Sequence, residues 1–348
     1  MYRKRIRDFN IQIGDLKTGP LNKITDVPGV NVGHVTLKSG EINTGVTAIL
    51  PSDDNLFKNK MISSAHVFNG FGKSTGLVQI EELGTLETPI ILTNTFGVGD
   101  ALRGLLEYKL ERNPEIGDTT GTVNGVVCEC NDAYLNDIRG LHVKPEHVHE
   151  AIQNAQVNFE EGDVGAGTGM SAFTLKGGIG SSSRCVKVGE NLYTVGVLVM
   201  TNMGRKKNLI IDGKRVGEKL VEMDSSERNE PDKGSIIIVI ATDTPLSTLQ
   251  LKRVIKRSIV GLSRTGSNMG HGSGEIVIGF STANRISHDL DDSIQHKYIH
   301  DDQIDSVFDA VIHATEEAVL NSMVTAENCT GRGGHTRETI AFYSELFL

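Results

Sequence analysis

The sharpest break in the hydrophobic pattern lies at residue 234. Positions 222–233 read EMDSSERNEPDK, and Gly234-Ser235 then opens directly onto Ile236, Ile237, Ile238, Val239 and Ile240. Five successive β-branched residues without polar alternation predict a strand buried on both faces. The stretch 222–234 is linker-like. It divides a single domain, residues 1–348, rather than separating two, because the strand beyond it is too apolar to begin on an exposed edge. On pattern alone the junction is an ordinary loop-to-strand boundary, since Gly and Ser are common loop residues.

The remaining pattern alternates between the two periodicities. Residues 22–51 predict short strands with turns, Pro28-Gly29 marking a turn and Val30, Val32 and Val35 falling at strand-like positions. A helix-like run covers 77–83, and the apolar stretch 89–95 predicts a buried strand. Asp100 is placed to N-cap a helix over 101–112, with Leu102, Leu105, Leu106 and Leu110 on one face. Strands are predicted at 122–128, 171–175 and 192–201, and a helix at 145–156. Beyond the junction, Asp243-Thr244-Pro245 predicts a helix start, a capping residue followed by Pro at the first helical position. That helix runs to residue 263 with Leu251, Val254, Ile255, Ile259 and Leu262 along one face. A Gly-rich turn enters a strand over 270–282, and the last long helix, 302–323, buries Ile304, Val307, Phe308, Val311, Ile312 and Val319. Strands and helices interleave throughout, so the class is mixed α and β.

Composition narrows the function classes. Aromatics make up 5% of the 348 residues and Trp is absent, so the core must be aliphatic. The net charge of −9 leaves no excess of Lys and Arg to neutralise phosphates, which argues against a nucleic-acid partner. Four cysteines are too few for a disulfide scaffold, and Cys128 and Cys130 lack zinc-knuckle spacing, so reduced thiols and no metal are expected. The basic start MYRKRIRDFNIQIG is followed by no apolar signal region, and no stretch approaches a membrane span. A cytoplasmic protein without a membrane partner is the resulting expectation.

Several local patterns invite chemistry. Gly72-Lys73-Ser74, in FNGFGKSTG at 68–76, suggests a phosphate loop, but Val67 stands where that motif needs its first Gly. The stretch GDVGAGTGM at 162–170 lacks dinucleotide-binding spacing. His142, His147 and His149 cluster in sequence, yet 147 and 149 do not share a helical face, so they read as surface histidines. Ser235 is different in kind. If the bond before it is cut, its own α-amino group becomes a base within reach of its hydroxyl. The free α-amino pKa of about 7.7–8.0 leaves a useful neutral fraction near neutral pH.

The chain resembles the DmpA-like peptidases, the L-aminopeptidase D-amidase/esterases and β-aminopeptidases. The resemblance is carried by ITDVPGVNVGH (24–34), TGVTAILP (44–51), TNTFGVGDA (93–101), VNGVVCECNDAYLNDIRG (123–140), GDVGAGTGM (162–170), FTLKGGIGSSSR (173–184), DKGSIIIVIATDTPL (232–246) and GSGEIVIGFSTAN (272–284). It implies a four-layer α/β/β/α sandwich like that of the ornithine acetyltransferases. It also implies self-cleavage between Gly234 and Ser235, giving chains 1–234 and 235–348. Ser235 is then the nucleophile, with Ser273 and Glu275 orienting its amino group and relaying its proton. Asn202 and Tyr134 become the oxyanion donors. Glu129 and Asn131 fall near the substrate amino group, where a carboxylate would pair with an ammonium. The implied reaction is release of N-terminal residues from small peptides, amides or esters through an acyl-enzyme, without cofactor, by a homo-oligomer of αβ units. Three features depart from the family pattern: VVCECND stands where VVGETND is expected, Met203 follows Asn202, and the C-terminal GRGGHTRETIAFYSELFL is long.

Two other readings are compatible with this fold. One is an acyltransferase of the ornithine acetyltransferase type, against which the motifs and a Ser in place of the expected Thr both speak. The other is an uncleaved scaffold or binding protein.

Overall fold

The computed structural model describes residues 3–223, 234–289 and 293–348. Most of the predicted linker, 224–233, lies outside the described residues. Along the chain the strands are β1 (Asn31–Ser39), β2 (Ile42–Leu50), β3 (Asn59–Gly70), β4 (Thr85–Leu86), β5 (Ile90–Asn94), β6 (Val126–Cys130), β7 (Ser171–Ala172), β8 (Leu175–Lys176), β9 (Ile179–Val188), β10 (Asn191–Asn202), β11 (Ser235–Thr242), β12 (Gly274–Ser287), β13 (Cys329–Thr330) and β14 (Thr336–Arg337). The helices are α1 (Leu77–Leu83), α2 (Val98–Arg112), α3 (Pro145–Gln153), α4 (Val216–Met223), α5 (Thr248–Ile255), α6 (Ser258–Arg264) and α7 (Asp305–Val324).

Among the described residues two sheets carry the architecture, one ordered β1-β2-β5-β6 and the other β4-β3-β12-β11-β10-β9. Helices α2 and α3 cover the smaller sheet, placing Ala101, Leu105, Val148 and Ala151 against Val46, Ala48, Ile91 and Val127. Helices α5, α6 and α7 cover the larger one through Leu251, Val254, Leu262, Val311 and Val319. The inner faces of both sheets meet in a third cluster that includes Ile49, Leu92, Val126, Met200 and Ile278. The layer order is therefore α/β/β/α, as the resemblance implied.

The run after residue 234 is β11, and it is central. It pairs antiparallel with β10 and parallel with β12. Ile236, Ile238 and Ile240 face the helices, whereas Ile237, Val239 and Ala241 face the other sheet. Both faces being dry explains why the strand has no polar alternation.

The boundaries move where side chains decide them. The helix expected after Asp100 begins at Val98, because the Asn94 side chain accepts the Gly97 N–H at 2.7 Å and starts the turn earlier. The helix expected from Asp243 begins at Thr248. Ser247 and Gln250 cap each other reciprocally, while Asp243 accepts the Thr194 N–H at 2.6 Å. It also divides into α5 and α6, and between them the Ser258 hydroxyl donates to the Ile255 carbonyl at 2.7 Å. The stretch 171–175 is a hairpin rather than one strand, since Phe173 and Thr174 take left-handed φ of 52° and 58°. The strand expected at 122–128 is shifted to Val126–Cys130, which brings Glu129 and Cys130 into the sheet. Strand β9 has no apolar signature. Its Ser181, Ser182, Ser183 and Arg184 are fully buried and find internal partners, the Ser181 hydroxyl in the Val197 carbonyl at 2.7 Å and Arg184 Nη2 in Glu317 at 2.6 Å. Among the described residues no helix is long and apolar enough to cross a membrane.

Candidate active site at the start of the central strand

Ser235 is the first residue of β11, opposite Asn202 of β10 and Gly274 of β12. It is buried, with 7% of its surface exposed. The Gly234 carbonyl, which ends the peptide unit preceding Ser235, accepts the Gly274 N–H at 3.1 Å. Gly234 is also sterically obligatory: a Cβ there would lie 1.8 Å from the Asn202 carbonyl oxygen. By strand parity the Ser235 side chain shares the face of Ile237, toward the smaller sheet. The Cys130 thiol of β6 meets its hydroxyl there. Burial pushes the Cys130 thiol far above its ordinary range and the Cys128 thiol up to about 12. Both therefore stay protonated and do not compete as nucleophiles.

Ser273 and Glu275 flank Gly274. Both are fully buried, and the Ser273 hydroxyl donates to the Glu275 carboxylate. Glu275 is dry because β12 is an inner strand, with β3 on one side and β11 on the other. The Asn69 side chain of β3 donates to the Gly270 carbonyl at 2.9 Å and to the Ser273 carbonyl, and so holds the turn that presents the pair.

Asn202, the last residue of β10, is nearly buried. Its side-chain oxygen accepts the Ser171 N–H at 2.9 Å, and its Nδ2 donates to the Asn131 carbonyl at 3.0 Å. This fixes the amide beside Ser235. The Asn131 side chain is exposed and closes its own turn on the Ala133 N–H at 3.0 Å, so its backbone carbonyl is what reaches Asn202. Tyr134 lies in the turn that follows, half-buried.

Glu129 of β6 is buried and takes one donor on each oxygen, the Lys73 N–H at 2.8 Å and the Thr95 hydroxyl. The Phe71 carbonyl packs on Gly274, and Gly72 lies between Ile276 and the Glu129 carboxylate. The Gly-rich turn 71–73 thus spans from the neighbour of Ser235 to Glu129. What resembled a phosphate loop presents a backbone N–H to a carboxylate of the chain itself. The other Gly-rich stretch serves the hairpin β7–β8: buried Lys176 donates to the carbonyls of Gly167, Met170 and Gly177 at 3.2, 2.9 and 2.6 Å. The histidines of 142–149 disperse onto Asp137, the Lys144 N–H and the Gly104 carbonyl.

Thr95 and Lys73 escaped sequence reasoning as site neighbours, whereas the VVCECND departure already pointed to Cys130. Of the two that escaped, only Thr95 carried a signal, two residues beyond Thr93, which pairs with Glu129 across the sheet. Phe71 and Phe96 also escaped it, being 58% and 54% exposed beside residues that touch Glu129 or Gly274.

Two facing sheets between helical layers, with a Ser at the start of a central strand, define an N-terminal-nucleophile type of hydrolase fold. The chain belongs to peptidase family S58, which its residues 22–337 match. It is 38% identical to the β-peptidyl aminopeptidase BapA of Sphingosinicella microcystinivorans, over 95% of this chain and 88% of that protein. The PH0078 protein of Pyrococcus horikoshii superimposes with a TM-score of 0.94 at 51% identity, over 99% of this chain and 98% of that one. The L-aminopeptidase D-Ala-esterase/amidase of Ochrobactrum anthropi, a serine aminopeptidase with a variant Ntn-hydrolase fold, superimposes with a TM-score of 0.90 at 34% identity. That match covers 98% of this chain and 96% of that one. The serine-type aminopeptidase expected from the resemblance accordingly stands on the family, the relatives and the fold.

Proposed function

We propose that the chain cleaves itself between Gly234 and Ser235 and then releases N-terminal residues from small peptides, amides or esters. The observation that carries this reading is the Gly234–Ser235 unit itself. Its carbonyl is hydrogen-bonded by Gly274, its acyl side tolerates no side chain, and its Ser opens a central strand. In the first reaction Ser235 Oγ attacks the Gly234 carbonyl carbon. The C–N bond breaks, the proton passes to the departing nitrogen, which becomes the Ser235 α-amine, and water hydrolyses the resulting ester to release the Gly234 carboxylate and free the Ser235 hydroxyl. In the second, that amine takes the Oγ proton as Oγ attacks the substrate carbonyl. Asn202 and Tyr134 donate to the oxyanion. The proton then passes to the leaving amine, and water releases the acyl group. Ser273 and Glu275 hold the α-amine, which lies in the plane of the sheet beside Gly274.

Glu129 receives the substrate ammonium, with the Asn131 turn beside it. A carboxylate has about four lone-pair sites, and two are engaged by Lys73 and Thr95. Phe71 and Phe96 offer apolar surface to the substrate side chain. The active form is a cytoplasmic homo-oligomer of αβ units without cofactor. Denaturing electrophoresis tests the first step: two bands from the wild type and one from Ser235→Ala are expected, and a full-length wild-type band with peptidase activity would refute it.

A further inference from the structure

The C-terminal hairpin β13–β14 touches the turn that carries Tyr134. The Tyr134 ring stacks on His335 with centroids 4.5 Å apart and planes at 13°, and the Arg337 guanidinium lies 3.6 Å from the Tyr134 centroid. His335 Nδ1 also bonds the Tyr134 carbonyl at 2.8 Å, and since a carbonyl only accepts, Nδ1 carries the proton. The next carbonyl, Leu135, accepts from the Arg332 N–H at 2.9 Å and from Asn43 Nδ2 at 3.1 Å. Gly331 packs so tightly on it that a Cβ would lie 1.9 Å from that oxygen.

The same segment reaches the other expected oxyanion donor. The Glu338 carbonyl accepts the Lys176 N–H at 2.8 Å, and Lys176 closes the hairpin whose Ser171 N–H holds Asn202. Two side chains 68 residues apart in sequence, Tyr134 and Asn202, are thus both braced by residues 331–338. A half-buried Tyr at a turn otherwise keeps rotational freedom about two torsions. A planar stack on the ring and a cation over it remove that freedom.

We propose that His335 and Arg337 are positioning residues for the peptidase reaction, fixing the Tyr134 hydroxyl where the substrate oxyanion forms. The inference rests on the reading of Tyr134 as an oxyanion donor. A displacement of about 1 Å in such a group costs on the order of 100-fold in rate. The effect belongs in kcat, because the oxyanion exists only after attack.

The test is a set of mutant cycles on the purified, full-length protein. His335→Ala and Arg337→Ala are each expected to lower kcat roughly 10-fold or more with little change in KM, at an unchanged thermal midpoint. Arg337→Lys, which keeps a cation over the ring, should recover most of the loss. His335→Phe, which keeps an aromatic plane, should likewise recover most of the loss, and Arg337→Ala carries the test if His335→Ala does not fold. Added to Tyr134→Phe, either alanine change should cost nothing further, since the hydroxyl it positions is gone. Losses that multiply in the double variants, or that fall in KM, overturn the proposal. So does wild-type kcat in His335→Ala and Arg337→Ala while Tyr134→Phe is impaired, and that result leaves the oxyanion reading intact. A fully active Tyr134→Phe overturns the oxyanion reading and this inference with it.

Discussion

Glu129 and Gly234 show how much a single residue controls at this site. Glu129 holds two protein donors yet keeps acceptor capacity, so replacing its charge would remove the proposed ion pair with the substrate ammonium without opening a cavity. Glu129→Gln should raise KM for substrates with a free amino group by roughly 10–100-fold, the value of a charge-assisted hydrogen bond. Amino-blocked esters should be nearly indifferent, and equal losses for both would remove the assignment. Gly234→Ala should give an unprocessed or unfolded chain, seen as one band on denaturing gels. No side chain fits between residue 234 and the Asn202 carbonyl. Asp132, fully buried at the base of the Tyr134 turn, is pushed up to about 6 by its burial. Its folded pKa exceeds the unfolded value of 3.8, so the folded state binds the extra proton. The associated stability is complete below about pH 4 and is lost as pH rises through 6. Asp132→Asn should lack that decline. The difference between the two proteins in unfolding free energy should change by roughly 3 kcal/mol between pH 4 and 7 in denaturant titrations.

At the scale of elements, β11 is what makes the site rigid. Ile238 packs against the helices and its neighbours against the other sheet, so truncation there leaves a cavity with little room to collapse. Ile238→Ala should cost about 2–5 kcal/mol of stability, read from the midpoint of chemical unfolding. The helix start at Thr248 gives a smaller counterpart: Ser247→Ala removes a capping box and should cost about 1 kcal/mol. That start was misread in sequence because Asp243-Thr244-Pro245 satisfied a local rule. The carboxylate in fact accepts the Thr194 N–H of β10, the strand paired with β11. Elements with apolar stripes were legible, β10 and α1 to within a residue and β11 to within two. Strand β9 was not, because its buried face is Ser and Arg, whose partners come from distant segments.

At the scale of the whole molecule, the site gathers residues 71–73, 95, 129–134, 202, 235 and 273–275 at one end of two facing sheets. The C-terminal segment, which looked like a departure from the family pattern, is built into this arrangement through Tyr134 and Lys176. If the chain is cut before Ser235, the two pieces should remain associated without covalent linkage. β11 lies between β10 of the first piece and β12 of the second, buried on both faces. Native gel filtration should return both bands of the processed protein in one peak.

What the amino-acid sequence determined by itself was whatever depends on neighbours along the chain. The composition break at 234, the dry strand that follows it, and the motifs that identify a serine-type aminopeptidase are all local. Even Gly234 could be singled out, though not why it must be Gly. Tertiary structure decided everything that depends on approach between distant segments. It brought an Asn202 carbonyl against Gly234 and turned a Gly-rich loop toward Glu129. It buried Glu275 on Ser273 and set His335 and Arg337 against Tyr134. Backbone and side-chain propensities act over a few residues. Steric exclusion, burial and hydrogen-bond satisfaction act on whatever the fold places side by side, and the chemistry of this site is made of the latter.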